Sequence, residues 1–190
     1  MPTSPHLFFE RLRESLKLHP SPSMEANGLV LKEAAVLAPL FMRNDEPWAV
    51  LTLRPKTLRR HPGQVAFPGG GRESFDVTPL HAALREADEE LGIRPEQVEV
   101  LGLLGTLPTI TGFFVTPFVG VISESLQLRP SRDEIEEVIE VPLLRLTVER
   151  REAMGAMRDA YVWPQSPRFI WGATFRMMTQ LLEHVRRAHP

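Results

Sequence analysis

Residues 67–93 read FPGGGRESFDVTPLHAALREADEELGI, from Phe67 to Ile93. Thr78 and Pro79 mark a helix start. A threonine oxygen accepts from an exposed N–H of the first turn, and a proline there lacks an N–H that would be orphaned anyway. The pattern runs to Leu91 and stops at Gly92, which suits a left-handed C-terminal cap. Leu80, Leu84, Ala87 and Leu91 share one side and anchor the helix to a core. On a wheel of about 100° per residue, Glu90 falls about 40° to one side of Glu86 and Glu89 about 60° to the other. Three carboxylates so close raise one another's pKa values unless a cation neutralises them. Magnesium suits that role, because it is hard and is often held by carboxylates together with substrate phosphates. Arg85, four residues before Glu89, pairs with it along the helix. Gly69, Gly70 and Gly71 read as a loop whose backbone can approach a bulky anion with N–H groups free. A charged helix face is most often merely solvated, and a glycine run most often a flexible turn. A glycine run feeding a carboxylate helix points instead to metal-bridged phosphate chemistry.

Around this segment, the 190 residues suit one domain, with an N-terminal helix and connector over residues 1–28 and the domain proper over 29–190. Lys and Arg number 22 against 24 Asp and Glu, a net charge of −2, which leaves no basic field for nucleic acid or an anionic membrane. The absence of cysteine excludes disulfides, thiol catalysis and Cys-ligated metals. Met1–Glu10 has no signal-peptide pattern, and the apolar run Ala34–Met42 is interrupted by Pro39 and too short to span a bilayer, so the expected location is cytoplasmic. His6–Leu18 reads as an amphipathic helix whose exposed apolar face offers a homodimer contact. Ala34–Leu40 and Trp48–Leu53 read as a hairpin, with further strands at Val65–Phe67, Val98–Leu107, Phe113–Ile122 and Glu136–Val141. Pro117 marks an edge or an irregularity. Residues 150–167 show no period that assigns an element, and Phe169–Val185 reads as an amphipathic helix with Trp171 on its apolar face. The fold class is α+β with a mixed sheet. Arg54, Lys56, Arg59, Arg60 and His61 gather positive charge ahead of the glycines, and arginine offers bidentate geometry to phosphate. Asp133, Glu134, Glu136 and Glu137 form a second acidic cluster, read as an exposed loop.

Arg85-Glu86-Ala87-Asp88-Glu89-Glu90-Leu91-Gly92-Ile93 resembles the second half of the Nudix box, G-x5-E-x7-R-E-U-x-E-E-x-G-U with U apolar. Counting back from Arg85 puts Val77 where the box has glutamate, whereas counting forward from Gly70 puts Asp76 there. Upstream, Leu51-Thr52-Leu53-Arg54, Arg59, Gly63 and Phe67-Pro68-Gly69-Gly70 are similar to the signature of the coenzyme A pyrophosphatase branch, with Pro55 in place of its serine or alanine. Val115–Gly120, Glu140–Leu143 and Phe169–Gly172 extend the likeness, which covers roughly residues 34–183. The resemblance implies a Nudix-type α/β/α sandwich with a mixed β-sheet and a loop–helix–loop catalytic motif. It implies that Glu86, Glu89 and Glu90 bind Mg2+ or Mn2+, that one of them serves as general base, and that Arg85 orients them. Arg54, Arg59, Gly69, Gly70 and Gly71 would bind substrate. The implied reaction splits coenzyme A or a derivative into 3′,5′-ADP and 4′-phosphopantetheine or its acyl form. Rival readings are a Nudix pyrophosphatase acting on ADP-ribose, NADH or another nucleoside diphosphate derivative, and a non-catalytic nucleotide-binding module. The resemblance also allows a base or metal ligand from outside the box, which would fall to Glu137 or Glu140.

Overall fold

A computed structural model describes residues 4–26, 28, 30–57 and 63–189. Its centre is β1 (Lys32–Arg43), where alternate residues leave the strand on opposite faces. Ala34, Ala38 and Leu40 join one core cluster, and Ala35, Leu37 and Phe41 the other. Asn44 and Asp45, both with positive φ, turn the chain into β2 (Glu46–Leu53), which returns antiparallel from Arg43↔Glu46. The hairpin expected from the sequence is present.

β3 (Val65–Ala66) pairs with β2, and β4 (Gly69–Gly71) pairs with β1 from Ala34↔Gly71 to Val36↔Gly69. The glycine run is therefore a strand, not the loop expected of it. Glycine carries no side chain to alternate, so the period that announces a strand is missing. After α2 (Pro79–Leu91) come β5 (Glu99–Leu103), β6 (Leu107–Pro108) and β7 (Phe113–Val121). β7 lies parallel to β1 from Lys32↔Phe113 to Leu40↔Val121, which makes the sheet mixed. Pro117 occupies the interruption between β5 and β6, its carbonyl taken by the Leu104 N–H at 2.9 Å, so the irregularity expected there is real. β8 (Glu137–Pro142) closes the far side against β2. The unassigned stretch holds a separate hairpin of β9 (Thr147–Ala153) and β10 (Ala156–Val162).

α3 (Gly172–Ala188) and α1 (Pro5–Leu18) share one face of the sheet, and α2 covers the other. The architecture is the α/β/α sandwich. On α2 the buried side is Ala82, Ala83, Ala87 and Leu91, while Leu80 and Leu84 are only half-buried. Small side chains let that helix sit close on Ala35 and Leu37. The apolar face of α1 is not exposed. Phe8, Leu12 and Leu16 are buried in the core shared with α3, so it offers no dimer contact. Trp171 is a half-buried residue capping α3, with the Arg158 guanidinium 5.8 Å from its ring centroid, and does not lie on the helix's apolar face.

Candidate active site

The caps of α2 are those its sequence requires. Thr78 Oγ1 accepts from the His81 N–H at 3.1 Å, and Gly92 takes φ +69°. Just ahead of the helix, Val77 is exposed, whereas Asp76 is buried. Arg85 donates Nε to Asp76 Oδ1 at 3.2 Å and Nη2 to Oδ2 at 3.0 Å, and the Glu73 N–H donates to Oδ2 at 2.9 Å. The guanidinium holds the Asp76 carboxyl below the usual range, against the cost of burial. Asp76 thus takes the acidic position that the motif count left between two residues.

The remaining donors of Arg85 tie three elements together. Nη1 reaches both Glu86 Oε1 and Glu89 Oε2 at 2.8 Å, and Nη2 reaches the Gly71 carbonyl at 3.1 Å. Glu86 lies under the glycine strand, where a Cβ on Gly70 would come within 2.5 Å of its carboxyl carbon. That contact, rather than a turn, is why a glycine is required at residue 70. Glu90 is 1% exposed and accepts from Arg54 Nη1 at 3.0 Å and from the Gly69 N–H at 3.1 Å. Burial pushes its carboxyl up to about 7, although Arg54 and the Gly69 N–H pull the other way, and Glu86 and Glu134 add to the rise. Burial also raises Glu86 in spite of Arg85, with Glu89 and Glu134 contributing. Glu86 and Glu90 therefore meet at the glycine strand, while Glu89 sits further out, held through Arg85.

Arg54 and all three glycines line a cleft of about 260 Å3 whose other walls include Phe67, Phe113 of β7 and Thr174 and Met177 of α3. Of these wall residues the sequence marked only Phe67, in the upstream signature, since only the sandwich brings residue 174 beside residue 69. Arg54 Nε is buried there and, among the described residues, has no hydrogen-bond partner, an unmet donor beside the acidic pair. Lys56 is exposed, and Arg59, Arg60 and His61 lie outside the described residues. Glu137 and Glu140 are engaged elsewhere, by Arg168 at 2.8 Å and Arg43 at 2.6 Å. Glu134, of the second acidic cluster, adds only the smallest of the contributions that raise Glu86 and Glu90.

Among the described residues no group of three His, Asp or Glu side chains is gathered to hold a metal ion. The donor chemistry nevertheless fits a hard divalent cation. Glu86 and Glu90 offer carboxylate oxygens, and the Glu86 charge disfavours ionisation of Glu90 until positive charge arrives. Within the chain, Arg54 pairs with Glu90 and Arg85 with Glu86.

The NUDIX domain family matches residues 31–163. The uncharacterized Nudix hydrolase NudL of Enterobacter sp. (strain 638) is 42% identical over 166 residues, covering 84% of this chain and 86% of that relative. Its counterpart in Klebsiella pneumoniae (strain 342) is 43% identical over 170 residues, covering 86% and 87%. Among solved structures, the Nudix hydrolase RenU of M. smegmatis superimposes with a TM-score of 0.59 at 24% identity, over 88% of this chain and 95% of that one. The C. elegans Ap4A hydrolase superimposes at 0.51 and 18% identity over 60% and 82%. Both likenesses speak to the fold alone. Divalent metal ions are general in this family. With the box helix, its buried arginine anchor and these relatives in agreement, the chain belongs to the Nudix family and is a Nudix hydrolase, an enzyme acting on pyrophosphate bonds.

Proposed function

We propose that this hydrolase cleaves the diphosphate of coenzyme A or its derivatives, releasing 3′,5′-ADP and 4′-phosphopantetheine or its acyl form, with Mg2+ or Mn2+ held by Glu86, Glu89 and Glu90. The observation that carries the reading is Arg54. It falls on the upstream signature, bonds Glu90 at 3.0 Å, and lines the cleft beside Gly69–Gly71 with a further donor unspent. A diphosphate laid along the glycines would meet that guanidinium on one side and the carboxylate helix on the other. The chemistry that such ions supply when bound is neutralisation of the diphosphate and activation of water. One of the three carboxylates would take the proton from water, and Glu90, held between Arg54 and the Gly69 N–H, is the one we assign to it. Arg85 reacts with nothing; anchored by Asp76, it fixes Glu86 and Glu89. Arg59 is assigned to the 3′-phosphate on its signature position.

Purified protein incubated separately with coenzyme A, ADP-ribose and NADH, with Mg2+ or Mn2+ and with EDTA, gives the test by mass spectrometry of products. Metal-dependent 3′,5′-ADP and 4′-phosphopantetheine from coenzyme A alone are expected. Cleavage of the other two but not of coenzyme A overturns the substrate assignment and keeps the hydrolase. Arg59→Ala is expected to raise KM for coenzyme A more than for the dephospho form.

A further inference from the structure

The cleft beside the glycine strand has a second polar end. Its far wall is the first turn of α3, through Ala173 and Thr174, with Met177 one turn on. The first N–H groups of a helix have no partner within it and need one from outside. Trp171, the N-cap, supplies no side-chain acceptor, and the first turn holds no acidic residue. The Phe175 N–H donates to the Trp171 carbonyl at 3.3 Å, whereas among the described residues nothing accepts from the N–H groups of Gly172, Ala173 and Thr174. The Thr174 side chain is a separate sign. It lines the cleft, the residue is only 7% exposed, and its hydroxyl has no hydrogen-bond partner among the described residues. Thr179, further along α3, bonds its hydroxyl back to the Phe175 carbonyl at 2.9 Å. The carbonyl so placed for Thr174 is that of Ile170, which the Tyr161 N–H already takes at 2.9 Å.

The charge at this end is positive. Among the described residues that line the cleft, Arg54 is the only charged one, and its Nε is likewise buried without an acceptor. The Arg158 guanidinium lies 5.8 Å from the Trp171 ring centroid and has no carboxylate partner among the described residues. The unmet groups of the cleft can thus all donate, and no carboxylate lines it. A neutral acceptor would answer one or two of them. A phosphate brings three oxygens, together with the negative charge that a helix N-terminus and arginine favour.

We propose that the first turn of α3, through the N–H groups of Gly172, Ala173 and Thr174 and the Thr174 hydroxyl, seats a phosphate monoester of the substrate, separate from the diphosphate that is cleaved. The inference rests on the coenzyme A reading, and there the group is the 3′-phosphate. The diphosphate stays at the glycine end, against Arg54 and the carboxylate helix. Both ends belong to one cleft, so the ribose that carries the two phosphates would lie between them. The segment that bears Arg59 is rooted at the same cleft: the chain leaves its wall at Arg54 and rejoins it at Gln64, whose carbonyl accepts from the Arg54 N–H at 3.1 Å.

Isothermal titration of the intact chain with 3′,5′-ADP and with 5′-AMP, Mg2+ present in both, tests it. The nucleotides share the 5′-phosphate, so the ratio of their Kd values isolates the 3′-phosphate. The unaltered protein is expected to bind 3′,5′-ADP roughly tenfold or more tightly. Ala173→Asp sets a carboxylate among the same N–H groups. It is expected to remove that preference, at a Tm no lower than the parent's because an acid suits a helix N-terminus. Ala173→Asn fills the same space without charge and is expected to keep most of the preference. Thr174→Val removes the hydroxyl at nearly constant shape and is expected to lower the preference about threefold or more. A preference that survives both Ala173→Asp and Thr174→Val overturns the subsite and leaves the substrate assignment standing. Equal losses in Ala173→Asn and Ala173→Asp also overturn it, since crowding and not charge would then be the cause. An unaltered protein without the preference overturns it as well, and product analysis with coenzyme A then decides separately whether the substrate assignment falls.

Discussion

Replacing Glu90 by glutamine is expected to make the metal-free protein more stable while abolishing metal-dependent turnover. Glu90 is buried, and its carboxyl titrates at about 7 instead of 4.5. The folded chain therefore holds a proton there that the unfolded chain has already released, so the contribution to stability is complete below about 4.5 and is lost as the pH rises through 7. At pH 8 the loss is nearly complete, and a rise from 4.5 to about 7 corresponds to about 3 kcal/mol. At pH 5 the unfolded carboxyl is still partly protonated, and the loss is below about 1 kcal/mol. Glutamine mimics the protonated acid: its oxygen can still accept from the Gly69 N–H, and it carries no charge to bury. Thermal unfolding in EDTA should thus show Glu90→Gln melting about 6–10 °C above the parent at pH 8 and within a few degrees of it at pH 5. Divalent ions should close the gap at pH 8 by raising the parent and not the variant. An advantage that is equal at both pH values, or a variant that melts lower at pH 8, would falsify the account of Glu90 as a carboxylate held against its own burial.

Asp76→Asn should cost about 3 kcal/mol in denaturant titration, because Arg85 then loses its buried counter-charge, while Val77→Ala should stay within about 0.5 kcal/mol. The Asp76 carboxyl is held below 3.8, so its contribution is present above that pH and lost on further acidification, and the asparagine variant should lack this acid-sensitive component. Gly70→Ala should leave stability within about 1 kcal/mol, since its Cβ meets the movable end of Glu86, yet lower kcat at least tenfold on the natural substrate. Gly69→Ala should instead cost about 2 kcal/mol or more in the same titration, because its Cβ would press into the backbone at Ala35 and Val36. Equal stability losses for the two glycine variants would show that strand β4 needs glycine for its own conformation and not for Glu86.

The ends of the box helix were legible because their information is local, in Thr78, Pro79 and Gly92; of its buried side Ala87 and Leu91 could be read from the sequence, whereas Leu80 and Leu84 are half-buried and Ala82 and Ala83 pack in their stead. The hairpin of β1 and β2 was legible through its two short apolar runs and the turn at Asn44-Asp45. Three features were not. The strand nature of Gly69–Gly71 depends on Ala34–Val36 lying opposite, which no glycine can signal. β9 and β10 are wet on most of both faces over Thr147–Asp159, so the alternation that marks a half-buried strand never develops. The coverage of α1 follows from its meeting α3, across most of the chain. At the site, the count of the box left Asp76 and Val77 as rivals, and only burial and the Arg85 fork separate them. Glu134 belongs to a run of acids in which sequence alone favours no member.

The parallel pairing of β1 with β7 has a bearing on how the enzyme comes into being. Lys32 finds Phe113 and Leu40 finds Val121, so a loop of roughly eighty residues must close before the central strand has a neighbour on that side. The whole of the box lies within that loop. α2, with its anchor Asp76–Arg85, can form from local contacts as soon as those residues leave the ribosome. The cleft cannot, because Phe113 arrives with β7 and Thr174 and Met177 arrive only when α3 is nearly complete. The acidic helix thus exists before there is a complete place to seat a diphosphate, and a nascent or truncated chain ending before residue 172 would carry the charges of the site without the wall that α3 supplies.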